Sequence, residues 1–232
     1  MSLKRFPVSL LFIAVETALI AGFLFFTEGV WTRAFQFAAI VLSAVHSLYR
    51  FRPTTDRVSA TAGLMFTVAA DLFLVVLGPF RVLALSLFCV AQLFHAVRLS
   101  SFDCANHRTI AILRGSTLLL FIAVALFVTV GRFDPLAILA AVYAALLFTN
   151  AGIALTIRKR DPFAFPGFLL FILCDLFIFL AVGTDQGYFV LEQESIWALL
   201  SGVPFNLAWL FYAPSQVLLS LGAVYARPEV SR

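Results

Sequence analysis

Apolar residues in this chain come in long unbroken runs rather than in alternation, and the runs recur from one end to the other. About twenty apolar residues in succession are what a helix needs to cross the hydrocarbon of a bilayer, and continuous runs exclude the alternating pattern of a transmembrane barrel. Breaks between the runs predict eight spans, at about 7–26, 34–49, 59–77, 82–98, 109–130, 135–157, 163–183 and 196–226. The expected fold is therefore all-α: a polytopic transmembrane helical bundle forming one domain over residues 1–232. The second span is short, and Gly202 and Pro204 in the first third of the last predict a short or kinked beginning there. The first run follows Lys4 and Arg5, as a signal peptide would. Glu16 within it, and no small-x-small cleavage pattern after it, read instead as a retained first span.

Composition agrees with this reading. The chain is 62% hydrophobic and 12% charged, carries 27 Phe, and has a mean hydropathy of +1.03. A multi-pass protein of the cell (inner) membrane is expected, with membrane lipids as its surroundings. With the N-terminus in the cytoplasm, all of the 16 basic residues except Arg33, Arg81 and Arg132 fall on the cytoplasmic side, so both termini are expected there. Topology thus accounts for the net charge of +4, and a nucleic-acid partner has no support. Cys89 and Cys174 lie within spans and Cys104 in a loop, which gives neither a disulfide framework nor metal-ligand spacing. Phosphate loops, Rossmann glycines, Ser-His-Asp order, His-Glu-x-x-His and Cys-x-x-Cys are all missing, so neither cofactor nor metal is expected.

Against that background two aspartates stand out. Asp71 and Asp175 each follow a glycine by eight residues, Gly63 and Gly167, and each precedes Leu-Phe. A carboxyl at membrane depth costs about 2.5–3.5 kcal/mol on insertion scales and marks a functional site by default. The two lie 104 residues and four spans apart, on helices of the same direction, each near the thirteenth residue of its span. A tandem four-plus-four repeat with parallel halves would give this equal depth; chance similarity in a Phe- and Leu-rich chain is the alternative. Ser59, Gly63, Thr67 and Asp71 recur every four residues, a stripe that turns Asp71 into the bundle, while Gly167, Phe171 and Asp175 share a face of the seventh span.

The other intramembrane polar groups are Glu16, Gln36, His46, Gln92, His95, Asn150, Asn206, Tyr212, Ser215 and Gln216. Hydrogen bonds between helices account for a lone Gln or Asn at about 0.6 kcal/mol each. Solvation at the interface is the expectation for His46 and His95. Glu16, near mid-span, is a candidate site residue. No Lys or Arg is expected inside a span, so neither aspartate should have a buried salt bridge. Two carboxyls close together would share a proton, which is how acid–base dyads are built.

Eight spans with an aspartate in the third and seventh resemble the YhhN/TMEM86 family of lysoplasmalogenase-like membrane proteins. The resemblance is carried by Gly63 through Asp71-Leu72-Phe73, Ala91-Gln92-Leu93-Phe94-His95, Gly167 through Cys174-Asp175-Leu176, and Tyr212-Ala-Pro-Ser-Gln216-Val-Leu-Leu. It implies hydrolysis of the vinyl ether bond of a lysoplasmalogen or related ether lysophospholipid, releasing a fatty aldehyde, with Asp71 and Asp175 as the catalytic acid/base pair. His95, Tyr212 and Gln216, with Glu16 and Asn150, are then candidate substrate contacts. The chain departs from the family pattern at Ala70, where glycine is common, at Ala34-Phe35-Gln36, where Lys-Pro is common, and at Arg98, where tyrosine is common. Two other readings of the same carboxyls are a transporter or proton-coupled carrier, and a non-catalytic lipid-binding protein.

Overall fold

A computed structural model of the chain describes residues 6–25, 29–49, 51–78, 80–102, 107–129, 134–185 and 206–227. The described residues form long helices joined by short links, with no strand among them. The helices are α1 (Phe6–Phe25), α2 (Val30–Ser47), α3 (Thr55–Asp71), α4 (Arg81–Ser100), α5 (His107–Val128), α6 (Pro135–Thr156), α7 (Ala164–Asp185) and α8 (Leu207–Tyr225). Seven of them are long and apolar enough to cross a membrane. The other is α2, whose 18 residues include Arg33, Gln36 and His46. The chain is a multi-pass integral membrane protein. Cys104 and the expected break at Gly202 and Pro204 lie outside the described residues.

Helix starts follow local chemistry. The Asp134 carboxylate accepts from the Leu136 N–H at 2.9 Å, and Pro135 occupies the first helical position, where its missing N–H costs nothing. Asn206 caps α8 by accepting from the N–H groups of Ala208 and Trp209. Asp161 does the same for α7, accepting from Phe163 and Ala164 at 3.1 Å. After Asp71 the third helix changes its winding: Leu72–Val76 forms a π-helical turn in which Leu77 N–H reaches back to Leu72 C=O at 3.0 Å. Gly78, at a φ of 80°, then ends the segment in a conformation that favours glycine.

Six helices close a ring. Going round it, α2 packs on α3, α3 on α4, α4 on α6, α6 on α7, α7 on α8, and α8 on α2. A contact between α3 and α8 crosses this ring and separates an interior bounded by α3, α4, α6, α7 and α8. Outside it, α1 lies against α2 and α8, and α5 lies against α6. Large apolar side chains cover the outer faces, such as Leu119 and Phe127 on α5 and Leu10 and Leu11 on α1. Lipid tails are as apolar as these side chains, so exposure there costs nothing. The contacts repeat in pairs: α1·α2 with α5·α6, α2·α3 with α6·α7, α3·α4 with α7·α8, and α2·α8 with α6·α4.

Two matched glycines let the helices approach. A Cβ on Gly63 would sit 2.9 Å from the His95 ring, and one on Gly167 would sit 3.1 Å from Leu219. Each glycine thus seats a side chain of the next ring helix, α4 on α3 and α8 on α7. The stripe expected on α3 is buried throughout, at Ser59, Gly63, Thr67 and Asp71.

Several expectations are corrected here. Arginines do lie within the helices: Arg98 and Arg114 fall inside the predicted spans themselves, and Arg33, Arg57, Arg81 and Arg108 are taken in because α2, α3, α4 and α5 begin before the spans predicted for them. Arg98 is wholly buried, its Nε donating to Asp56 at 3.1 Å and its Nη2 to Asp161 at 2.5 Å. This clasp joins α3, α4 and the α6–α7 link, and Gly222 of α8 closes it: a Cβ there would meet Arg98 Nη2 at 2.9 Å and Asp161 at 3.0 Å. His46 and His95 are not solvated either, being 5% and 1% exposed. His46 is stacked on Phe12 at 3.9 Å and hydrogen-bonded to Ser9 and Ser220, which stitches α1 and α8 to α2.

Arg98→Ala leaves two buried carboxyls without their cation and should cost about 3–5 kcal/mol. Thermal unfolding in detergent checks this. Arg98→Lys should recover little, since one ammonium lacks the guanidinium fork that serves both carboxyls, and full recovery by lysine would contradict the clasp.

Candidate functional site

The interior bounded by α3, α4, α6, α7 and α8 is where the polar side chains gather, and it is built in three tiers. At one end are the two aspartates. Asp71 is the last α-helical residue before the π-helical turn of α3 and is 1% exposed. Its Oδ2 accepts from the Tyr212 hydroxyl of α8 at 2.6 Å. Asp175 of α7 is half-buried and accepts on Oδ2 from the Tyr143 hydroxyl of α6, also at 2.6 Å. Each carboxyl keeps its second oxygen without a hydrogen bond among the described residues, and no hydrogen bond joins the two carboxyls.

Two phenylalanines bring the Asp–Tyr pairs together. The Phe88 ring of α4 lies 5.9 Å from Tyr143 and 6.4 Å from Tyr212. The Phe171 ring of α7 lies 6.3 Å and 5.2 Å from the same two tyrosines, and 6.2 Å from Phe88. Four rings from four helices therefore form one aromatic cluster with a carboxyl on either flank. Cys174, which precedes Asp175 in α7, is buried. Pro214 sits in the same turn of α8, removing a backbone N–H, and the Ser215 hydroxyl bonds the Tyr212 carbonyl at 2.6 Å.

The middle tier holds Gln92 and His95 of α4, Asn150 of α6, and Ser215 and Gln216 of α8, all buried. Asn150 Nδ2 donates to the carbonyl and the side-chain oxygen of Gln92, at 2.9 and 3.0 Å. His95 lies edge-on to Phe168 of α7 at 5.4 Å. The Arg98 clasp forms the third tier.

Of the residues expected at the site, Asp71, Asp175 and Tyr212 come together at the aromatic cluster, while His95, Asn150 and Gln216 line the adjoining tier. Glu16 does not join them. It is buried on α1 and accepts from Ser43 of α2 at 2.9 Å, and α1 has no contact with α3, α4, α6 or α7 among the described residues. Tyr143 was not anticipated. Its spacing from Asp175 is meaningless along the chain, and only a mid-span position for a phenol marks it. Among the described residues no group of three or more His, Cys, Asp or Glu side chains is arranged to hold a metal.

Residues 30–223 match the YhhN family. The chain belongs to that family. The matched region contains the six ring helices except for the last two residues of α8, together with both aspartates and both tyrosines, whereas all of α1 precedes it. No curated protein and no solved structure matches the chain.

Each tyrosine should be coupled to its own aspartate in this YhhN protein. Tyr212→Phe and Tyr143→Phe should each cost about 1–3 kcal/mol in detergent unfolding, because each leaves a carboxyl short of its donor. In double-mutant cycles Tyr212 should couple to Asp71 and Tyr143 to Asp175, with the crossed pairs near additive. Equal coupling in the crossed pairs would contradict the pairing.

Proposed function

We propose that the chain is an intramembrane hydrolase that cleaves the vinyl ether bond of a lysoplasmalogen, or of a related ether lysophospholipid, with Asp71 and Asp175 as acid and base. The observation that carries this reading is the pair of carboxyls set on one aromatic cluster, each held by its own tyrosine hydroxyl at 2.6 Å, in a member of the YhhN family. Separate tyrosines favour two carboxyls with separate tasks over one shared proton. A tyrosine that fixes Oδ2 leaves the other oxygen of its carboxyl for the reaction.

The chemistry needs both. One carboxyl, protonated, gives its proton to the β-carbon of the vinyl ether, and an oxocarbenium ion forms at the carbon bonded to oxygen. The other, ionised, takes a proton from water as the water oxygen bonds to that carbon. The resulting hemiacetal collapses when the second carboxyl returns its proton to the glycerol oxygen and the first accepts the hemiacetal hydroxyl proton. A fatty aldehyde and a glycerophospho-alcohol leave, and both aspartates regain their starting states. The lipid chain suits the Phe-rich walls, and the neutral polar groups of the middle tier suit the glycerol.

Two further expectations support this reading. The paired helix contacts and the matched roles of Gly63 and Gly167 favour a four-plus-four internal repeat that brings the aspartates to equal depth. The Lys and Arg distribution favours cytoplasmic termini, in the cell membrane. A carrier built on paired broken helices fits less well, since the winding changes after Asp71 in α3 while α7 runs unbroken through Asp175.

Purified protein given lysoplasmenylethanolamine should release fatty aldehyde. Asp71→Asn and Asp175→Asn should each lower the rate by about 10²–10⁴-fold while keeping an acceptor for the tyrosine and hence the fold. An inert wild type, with solute or proton uptake into liposomes that depends on Asp71, would replace the hydrolase with a carrier.

A further inference from the structure

Phe88 of α4 and Tyr212 of α8 meet at one end of the interior, and Arg98 and Gly222 of the same two helices meet at the other. Ten residues separate the contacts on each helix, so the helices keep register across the interior, and Gln92 and Gln216 lie at one level, a turn beyond Phe88 and Tyr212. Asn150 reaches this level from α6 through its bonds to Gln92.

Partner accounting at this level leaves a remainder. Gln216 Nε2 donates to Ser215 Oγ at 3.1 Å, and Ser215 has already given its proton to the Tyr212 carbonyl. Asn150 Nδ2 serves both oxygens of Gln92. Among the described residues, Gln92 Nε2, Asn150 Oδ1, Gln216 Oε1 and both ring nitrogens of His95 are buried and have no hydrogen-bond partner. Turning the amides over does not remove the deficit, because an inverted Asn150 would set its oxygen against the Gln92 carbonyl. Native interiors keep few such atoms, and here five lie on three helices that border one space. The His95 ring lies within the interior between Gly63 of α3, whose missing Cβ leaves it room, and Phe168 of α7.

We propose that this middle tier is a hydrated chamber, and that it holds the water consumed at the aspartates. The unpartnered set mixes donors with acceptors: the Gln92 amide N–H and one His95 nitrogen donate, while Asn150 Oδ1, Gln216 Oε1 and the other His95 nitrogen accept. None of these five atoms carries a formal charge, and Arg98 Nη1, also without a partner, belongs to a guanidinium already held by two carboxylates, which suits neither an ion nor a phosphate. Water both donates and accepts, and a buried water needs two to four such partners. The chamber adjoins the Tyr212–Asp71 pair, one helical turn along α8. This inference deepens the hydrolase reading and rests on it: the surrounding lipid supplies no water, and each turnover needs one molecule whose oxygen goes to the oxocarbenium carbon and whose proton goes to the basic carboxylate.

X-ray hydroxyl-radical footprinting of the purified full chain tests this, because radicals formed from internal water modify the side chains beside it. Phe168 and Leu219 are 0% exposed, and one touches His95 while the other lies one turn from Gln216. Both should be modified in the wild type, and modification should be lost in Asn150→Leu and Gln216→Leu variants whose unfolding temperature shows them folded. With lysoplasmenylethanolamine these variants should lose about 10²-fold in kcat, as for a misplaced reactant, with KM for the lipid little changed. Phe168 and Leu219 left unmodified in the wild type would overturn the chamber whatever the activity. Modification together with unaltered kcat in the variants would overturn its role in supplying water. A wild type that is modified but hydrolyses nothing would reject the hydrolase reading and leave the hydrated chamber standing.

Discussion

Hydrocarbon cannot accept or donate a hydrogen bond, and this constraint governs the polar side chains within the described spans. Each must find its partner within the bundle or be held where a polar ligand reaches it. The chain meets the constraint by turning its polar stripes inward on six helices that close a ring, leaving Leu, Val, Ile and Phe for the lipid. Depth within the ring then decides what each group does. Near one end an arginine holds two aspartates by its guanidinium; at the other, two aspartates take tyrosine hydroxyls; between them lie amides and a histidine whose hydrogen bonds the protein only partly completes.

The Arg98 clasp is the part of this arrangement that the site leans on most. It ties the start of α3 and the α6–α7 link to the end of α4, and Gly222 lets α8 close against it. From that end α4 and α8 keep register over ten residues to the contact of Phe88 with Tyr212, whose hydroxyl meets Asp71. Asp161 contributes twice, since the carboxylate that meets Arg98 also caps α7, the helix that carries Asp175. The clasp thus lies at the opposite end of the bundle from both aspartates and touches the helices that carry them.

Hydropathy made the helices legible, because a span must match a fixed thickness and its length can be counted. The stripe of Ser59, Gly63, Thr67 and Asp71 was legible too, since four-residue spacing fixes a face whatever lies opposite. Arg98, His46 and His95 were misjudged for one reason: charge or an imidazole at the end of an apolar run looks like the edge of the membrane, and only tertiary packing shows that the helix continues and its end is covered. Tyr143 carried only the weak signal of a phenol at mid-span, because nothing along the chain ties it to Asp175 on another helix. The π-helical turn after Asp71 carried none because neither Gly nor Pro marks it; the first such residue is Gly78, where the turn has already ended. Which helices are neighbours, and so which polar groups share a space, is not written in any local pattern.

The carboxyls, their tyrosines and the Phe rings between them make one chemical unit out of residues that are up to 141 positions apart. Its proposed reaction begins with a proton delivered to carbon, and that step leaves a permanent mark on the product. Hydrolysis of lysoplasmenylethanolamine by the purified protein in D₂O, with the aldehyde trapped as it forms and analysed by mass spectrometry, reads that mark. The account predicts one deuterium per molecule at the carbon next to the aldehyde, formed by the wild type and not by Asp71→Asn or Asp175→Asn. Aldehyde without deuterium at that carbon, or labelled aldehyde formed equally well by both variants, would contradict it.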